Sequence, residues 1–363
     1  MRLPRCTLID YMTPTKPVAG PNAVPVLRQY LNDRPGKRYV AIVDDNTNEH
    51  CITPLITEVP ELAGIDIIEV VNGEDSKDIE ICASIWAAMV ELKCDRNTLL
   101  FSVGGGMVCD LGGFVASCYK RGIEFIHIPT SLLAMVDASL GGKTGVNLDH
   151  LKNQIGLFSQ PSGIYIDPRF LATLPNREYR AGLAEMAKHG LILDERHWND
   201  VQNCDPSTPA GMEEAIIHSM AIKQMVVEED LLEHGKRKIL NFGHTIGHAV
   251  EALSMDHENP LLHGEAVALG LVAEAWLSHK VCGLPLEVAE DVSRWVHRIY
   301  PSLELPKVSM ESILRVIEHD KKNSNGVVNY VLLEEVGKAV WDQQVPENLV
   351  AESLDFFSKG APK

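Results

Sequence analysis

The sequence predicts two parts of different fold class, an α/β domain over residues 1–174 and an all-α domain over residues 175–363. Three observations carry this. Short apolar runs rich in β-branched residues alternate with a helical apolar pattern in the first half. Three successive glycines, Gly104, Gly105 and Gly106, follow one of those runs. Beyond about Pro175 such runs become rare and long amphipathic patterns take over. With 363 residues, 45% of them hydrophobic and 23% charged, the chain can bury two cores.

The elements follow in order. Residues 39–43 form an apolar run that stops at Asp44-Asp45-Asn46, and residues 67–71 form another that stops at Asn72-Gly73. Both read as buried parallel strands ending in loops. Ile79, Ile81, Ile85, Trp86, Met89 and Val90 recur at helical spacing between residues 76 and 92, and residues 98–103 give the strand that enters the glycines. Strand, helix, strand, glycine loop and helix is the grammar of a βαβ nucleotide-binding half, so the N-terminal domain is expected to be a dinucleotide-binding, Rossmann-like one. Residues 125–128 and 164–166 read as further extended pieces, and residues 180–193, 212–230, 241–253 and 264–281 as amphipathic helices.

The formal net charge of −17 argues against nucleic acid or an anionic membrane as partner, because both need clustered Lys and Arg. The longest apolar run, residues 266–277, is too short to span a bilayer and contains Glu274. The first twenty residues hold no apolar stretch of signal-peptide length, so a cytoplasmic location is expected. The eight cysteines, Cys6, Cys51, Cys82, Cys94, Cys109, Cys118, Cys204 and Cys282, form no CxxC pair and read as reduced thiols. Any metal must then come from His and carboxylates.

Several residues carry candidate chemistry. Gly104 to Gly106, with Asp110 and Gly112-Gly113 after them, let the backbone and a helix N-terminus approach a pyrophosphate. Asp44, just past a strand, reads equally as a ribose acceptor or a helix cap, and Glu74 and Lys77 sit at the next strand end. His244 and His248 lie one helical turn apart and project from one face, with His263 and Glu185 as further ligand candidates. Two nitrogens, one carboxylate oxygen and an open position would make a catalytic zinc site; spacing alone suggests both His244 and His248. Lys143, Lys152-Asn153, Lys188, Lys223, Arg237 and Lys321-Lys322 gather near these motifs in an acidic chain, which suggests an anionic substrate bearing phosphate and carboxylate.

The stretches GGGMVCDLGGFVASCYKRG, IPTSLLAMVDASLGGKTGVN, LKNQIGLF, IDPRFLATLP, GLAEMAKHGLI, KRKILNFGHTIGHAVE, LLHGEAVALG and HDKK resemble the 3-dehydroquinate synthase family, from about residue 38 to residue 337. That resemblance implies conversion of 3-deoxy-arabino-heptulosonate 7-phosphate to 3-dehydroquinate and phosphate, with NAD regenerated in each turnover and one Zn2+, or Co2+, in the site. It assigns the metal to Glu185, His244 and His263, and leaves His248 for proton transfer. It places Asp44, Asn46, Glu74, Lys77, Gly104, Gly105, Gly106, Asp110, Thr130, Ser131, Asp137, Lys143 and Lys152 around NAD, with Thr173 near the nicotinamide end. Lys143, Lys152, Asn153, Lys188, Lys223, Arg237, Asn241, Lys321 and Lys322 would contact the substrate. Arg121 would reach the phosphate of a neighbouring subunit, which implies a homodimer. Sister cyclases that make deoxy-inosose or valiolone, and the more distant iron-dependent alcohol and glycerol dehydrogenases, are the alternatives. Arg237, Asn241, His248 and the Lys321-Lys322 pair resemble the dehydroquinate type. Two positions depart from the family pattern: Cys109 and Leu151 stand where glycine is usual.

Overall fold

A computed structural model describes residues 13–148, 151–255, 257–321 and 328–360. The chain forms two compact units, Met1–Leu174 with Lys223–Leu232, and Pro175–Ile222 with Glu233–Lys363.

The first unit contains, in order, β1 (Val18–Ala19), α1 (Ala23–Asn32), β2 (Tyr39–Asp44), α2 (Asp45–Thr47), α3 (Thr53–Glu58), β3 (Asp66–Val70), α4 (Ile79–Glu91), β4 (Leu99–Gly104), α5 (Gly106–Cys118), β5 (Glu124–Pro129), β6 (Lys143–Leu148), β7 (Leu151–Phe158) and β8 (Gly163–Ile166). Six strands form a parallel sheet in the order β1-β8-β5-β4-β2-β3. Successive side chains of a strand point to opposite faces, and the core divides accordingly. Val40, Ile42 and Leu100 pack with α4 and α5 residues such as Ile85, Met89 and Leu111. Ala41, Val43, Leu99 and Phe101 pack with α1 and α3 residues such as Leu27, Leu31 and Leu55. Helices on both faces require strands that are apolar throughout, which is why β2 and β4 read as continuous hydrophobic runs.

β3 differs from the expectation of a buried strand. It is parallel, but it is the sheet's last strand, so Ile67 and Glu69 are exposed. The antiparallel hairpin of β6 and β7 was not legible as strands, because Gly145 pairs with Gly156 in its middle and the sequence there reads as a glycine turn.

The second unit is helical: α6 (Asn176–Leu193), α7 (Glu195–Gln202), α8 (Glu213–Glu229), α9 (His244–Ser254), α10 (His263–Cys282), α11 (Leu286–Ile299), α12 (Met310–Lys321) and α13 (Glu347–Lys359), with β9 (Tyr330–Glu335) and β10 (Lys338–Gln343) between the last two. The Lys223–Leu232 part of this sequence, which includes the end of α8, clusters with the first unit. The β9–β10 hairpin is an addition to the expected helices. Its Leu333 N–H donates to Ser278 Oγ of α10 at 2.9 Å.

α10 buries almost every residue from Gly264 to Ser278. A helix surrounded by others must be apolar all round, which explains the long hydrophobic run of residues 266–277. Among the described residues no helix is long and apolar enough to cross a membrane. The seven cysteines among them form no disulfide, and Cys51, Cys82, Cys94 and Cys109 are buried.

α10 can lie against α6 only because position 264 has no side chain. A Cβ there would fall 2.0 Å from the Ala181 carbonyl oxygen and 2.5 Å from its Cα. Backbone cannot move aside as a side-chain tip can, so Gly264→Ala is expected to cost about 1–3 kcal/mol. Urea denaturation checks this, and an unchanged midpoint would contradict the packing described.

Candidate active site

In the first unit the chain after β2 goes to β3 on one side of β2, while β4 lies on the other. A crevice at the carboxyl ends of strands is expected at such a switch point. Asp44 ends β2 there, and Gly104, Gly105 and Gly106 join β4 to α5. The N-terminus of α5 has no side-chain cap, so its first-turn N–H groups are not taken by a side chain and suit an anion. Cys109 is buried within α5, with Sγ 3.9 Å from the Gly104 carbonyl oxygen.

A polar network lies beside the loop. Lys77, 4% exposed, donates from Nζ to Asp110 Oδ2 at 2.6 Å and to Asn153 Oδ1 at 2.5 Å. Its Nζ is 3.8 Å from Glu74 Oε1. Burial pushes the Asp110 carboxyl above its usual range, and the Lys77 ammonium works against that. Asn153 holds a left-handed φ of 54° and donates its N–H to Asn147 Oδ1 at 2.9 Å. The Asn147 amide in turn donates to Glu74 Oε1 at 3.0 Å. Lys223 Nζ reaches the Asp137 carboxylate at 2.7 Å and its carbonyl at 2.6 Å.

The other expected cofactor residues do more local work. Asp44 Oδ1 accepts the Thr47 N–H at 2.7 Å and caps α2. Asn46 lies inside that turn. The Thr130 N–H donates to the Gly104 carbonyl at 2.9 Å, and Ser131 Oγ accepts from Ala134 N–H at 3.3 Å. Thr173 is exposed and lines a cavity of about 250 Å³ with Leu27, Leu55, Ile128 and Phe170. Lys143 is exposed at the start of β6 and Lys152 half-buried in β7, whose first residue is Leu151. Arg121 is exposed in a turn with a left-handed φ of 70°.

The second unit gathers the metal candidates. Glu185 and Lys188 project from α6 and are fully buried. Lys188 Nζ contacts Glu185 Oε2, while His244 Nε2 and His263 Nε2 stand 3.4 and 3.5 Å from Oε1. Neither Glu185 oxygen has a well-directed hydrogen bond. Ring nitrogens of His244, His248 and His263 all come within 4.8 Å of one another. The structure therefore brings His248 as close to the other two histidines as the naive spacing suggested, while Glu185 contacts His244 and His263.

Two further contacts set the direction of the rings. His244 Nδ1 is 3.1 Å from the Phe242 carbonyl oxygen, and His263 Nδ1 is 3.1 Å from Glu251 Oε2. Both partners can only accept, so each Nδ1 carries a proton and each Nε2 is left to face Glu185. Electrostatics sharpen the difference between the rings. Burial and the Lys188 ammonium lower His244 to about 4. Burial also opposes charge on His263, but Glu251 and Glu185 outweigh it and raise that ring to about 10. Burial opposes charge on Glu185 too, yet Lys188 and His244 hold its carboxyl well below the usual range. A buried carboxylate oxygen with two ring nitrogens within 3.5 Å and no aligned hydrogen bond fits a divalent cation.

Among the remaining substrate candidates, Arg237 is buried and Asn241 donates to Glu233 Oε1 at 2.6 Å. Lys321 ends α12 and Lys322 lies outside the described residues. Glu251, Glu233 and Asn147 were not singled out in the sequence. Only Glu251 had a readable signal: it follows His244 by two helical turns and His248 by one, on the same face.

The family model for the 3-dehydroquinate synthase N-terminal region matches residues 67–181, and that for the 3-dehydroquinate synthase C-terminal region matches residues 182–323. A 3-dehydroquinate synthase of Parabacteroides distasonis is 41% identical over 91% of this chain and 94% of its own. Among solved structures, a 2-deoxy-scyllo-inosose synthase complexed with carbaglucose-6-phosphate, NAD+ and Co2+ is similar at a TM-score of 0.81 and 26% identity, covering 94% of this chain and 96% of that one. A 2-epi-5-epi-valiolone synthase from Streptomyces hygroscopicus with NAD+ and Zn2+ bound is similar at 0.80 and 25%, covering 95% and 97%. With both halves of its architecture matched by one family's models and most of its length by a close relative, the chain belongs to the 3-dehydroquinate synthase family.

Proposed function

We propose that the protein converts 3-deoxy-arabino-heptulosonate 7-phosphate to 3-dehydroquinate and phosphate, using NAD and a divalent metal ion that both remain with the enzyme. The net reaction breaks a carbon–oxygen bond to phosphate, so it is a lyase reaction. The observation that carries the reading is Glu185, a buried carboxylate with the Nε2 atoms of His244 and His263 3.4 and 3.5 Å from its Oε1. These three would hold the metal, and the uncapped N-terminus of α5 with Gly104 to Gly106 would hold the cofactor's pyrophosphate. When bound, NAD supplies a reversible acceptor for a hydride, and the metal, Zn2+ or Co2+, supplies a Lewis acid.

The chain's own residues then have separable tasks. Lys77 pairs with Asp110 beside the glycine loop, with Glu74 3.8 Å from the same ammonium, which keeps the cofactor's surroundings ordered. Lys143, Lys152, Asn153, Lys223, Arg237, Asn241, Lys321 and Lys322 would bind the carboxylate and phosphate of the substrate and stabilise negative charge as phosphate departs. Lys188 would do the same, and because it contacts Glu185 its ammonium also keeps that carboxyl ionised. His248, beside the two ligand histidines, would hold and pass a proton. Arg121, exposed in its left-handed turn, would serve the phosphate of a second copy in a homodimer. Cysteines without paired spacing fit a reducing compartment, so we place the protein in the cytoplasm.

The test is phosphate release from the acid sugar phosphate, compared with glucose 6-phosphate and sedoheptulose 7-phosphate. Release from the acid sugar alone, stopped by a chelator and without net NADH, is the expected result; activity confined to a neutral sugar would sink the assignment. A second prediction comes from the histidines. At pH 7 His263, raised to about 10, is protonated without metal, whereas His244 is neutral and Glu185 ionised. A ligand nitrogen must be deprotonated, so Co2+ or Zn2+ binding should release about one proton. Calorimetry in buffers of different ionisation enthalpy measures this, and zero release would contradict the role given to Glu251.

A further inference from the structure

We propose that Glu274 is a positioning residue for the metal site: it clamps the first turn of α9, which carries His244 and His248, to α10, which carries His263. This rests on the metal reading above and deepens it. Glu274 interrupts the apolar run of residues 266–277 and is fully buried. An acid in such a place is tolerated only when its oxygens are satisfied. Oε2 accepts the Gly243 N–H at 2.6 Å and Oε1 accepts the Ile246 N–H at 3.1 Å. Those donors flank His244, and α9 has no N-terminal side-chain cap of its own. The start of the helix that presents His244 is therefore held by a carboxylate belonging to another helix, at the end of the helix dipole where negative charge is favourable.

The geometry makes this a matter of ligand placement as well as helix stability. Glu274 follows His263 by eleven residues, three helical turns, so both project from one face of α10. Glu251 follows His244 by two turns on α9 and holds His263 Nδ1 at 3.1 Å. The two helices thus exchange carboxylates, Glu251 orienting the ligand of α10 and Glu274 seating the ligand of α9. Nothing between them can take up slack. A Cβ on Gly270 would lie 1.8 Å from the Gly243 carbonyl oxygen and 3.0 Å from the Gly247 nitrogen, so the backbones are already in contact. Gly243 itself holds a left-handed φ of 81°. A displacement of the α9 start moves the His244 nitrogen directly.

The experiment uses full-length Glu274→Gln, which keeps the volume but offers one acceptor oxygen for two N–H groups, with Glu274→Asp as a milder change. Each metal-free protein is checked for folding by circular dichroism and titrated with Co2+ against a competing chelator, recording the visible absorption of the bound ion. His263→Ala is the control. The expected result is that His263→Ala abolishes the bound-cobalt spectrum. Glu274→Gln should be folded and bind Co2+ at least tenfold more weakly, with an altered spectrum. Unchanged cobalt affinity and spectrum in folded Glu274→Gln, with only a lower melting temperature, would overturn the proposal and leave the metal reading standing. Should Glu274→Gln fail to fold, Glu274→Asp decides by the same two readouts. A bound-cobalt spectrum that survives in His263→Ala would overturn both.

Discussion

Charge buried at Glu185 is the constraint on which the second unit is built. A carboxylate with no access to water is tolerable only where opposite charge or strong donors surround it. Here the surroundings come from three helices: Lys188 from α6 itself, His244 from α9 and His263 from α10. Each must be brought to the same point, so α6, α9 and α10 cannot shift independently. The close contacts at Gly264 and Gly270 follow from that demand, since any side chain there would separate helices whose polar groups have to meet. A cation at this point would supply what Glu185 lacks in aligned hydrogen bonds.

The first unit solves a different problem with the same means. Its sheet is apolar on both faces and covered by helices, so polarity is left to the carboxyl ends of the strands. There a buried ammonium, Lys77, joins Asp110 on α5 to Asn153 on β7, and Asn147 ties β6 to Glu74. The hairpin of β6 and β7 is thereby attached to the glycine loop's helix by polar bonds as well as by packing.

Much of the organisation was readable from the residues. The strands ending at Asp44 and entering Gly104 and the helices α6, α8, α9 and α10 followed from periodicity and glycine placement, and the resemblance named Glu185, His244 and His263, which the fold brings together. The misses have a common cause. β6 and β7 pair glycine with glycine and carry little β-branched signal, while the edge exposure of β3 depends on which strand has no neighbour. The capping role of Asp44 was one of two readings of its position, and the contacts with Thr47 show it.

What the sequence by itself determined was the set of chemical groups and the local periodicity that puts His244, His248 and Glu251 on one face of a helix and His263 and Glu274 on one face of another. That those two faces meet, with Glu251 directed at His263 and Glu274 at the amides beside His244, was decided only by tertiary structure. The physical reason is range. Helical spacing is set by backbone hydrogen bonds a few residues apart, whereas the pairing of faces depends on the close approach of Gly243, Gly247 and Gly270 and on the need of every buried carboxylate for a partner from another segment.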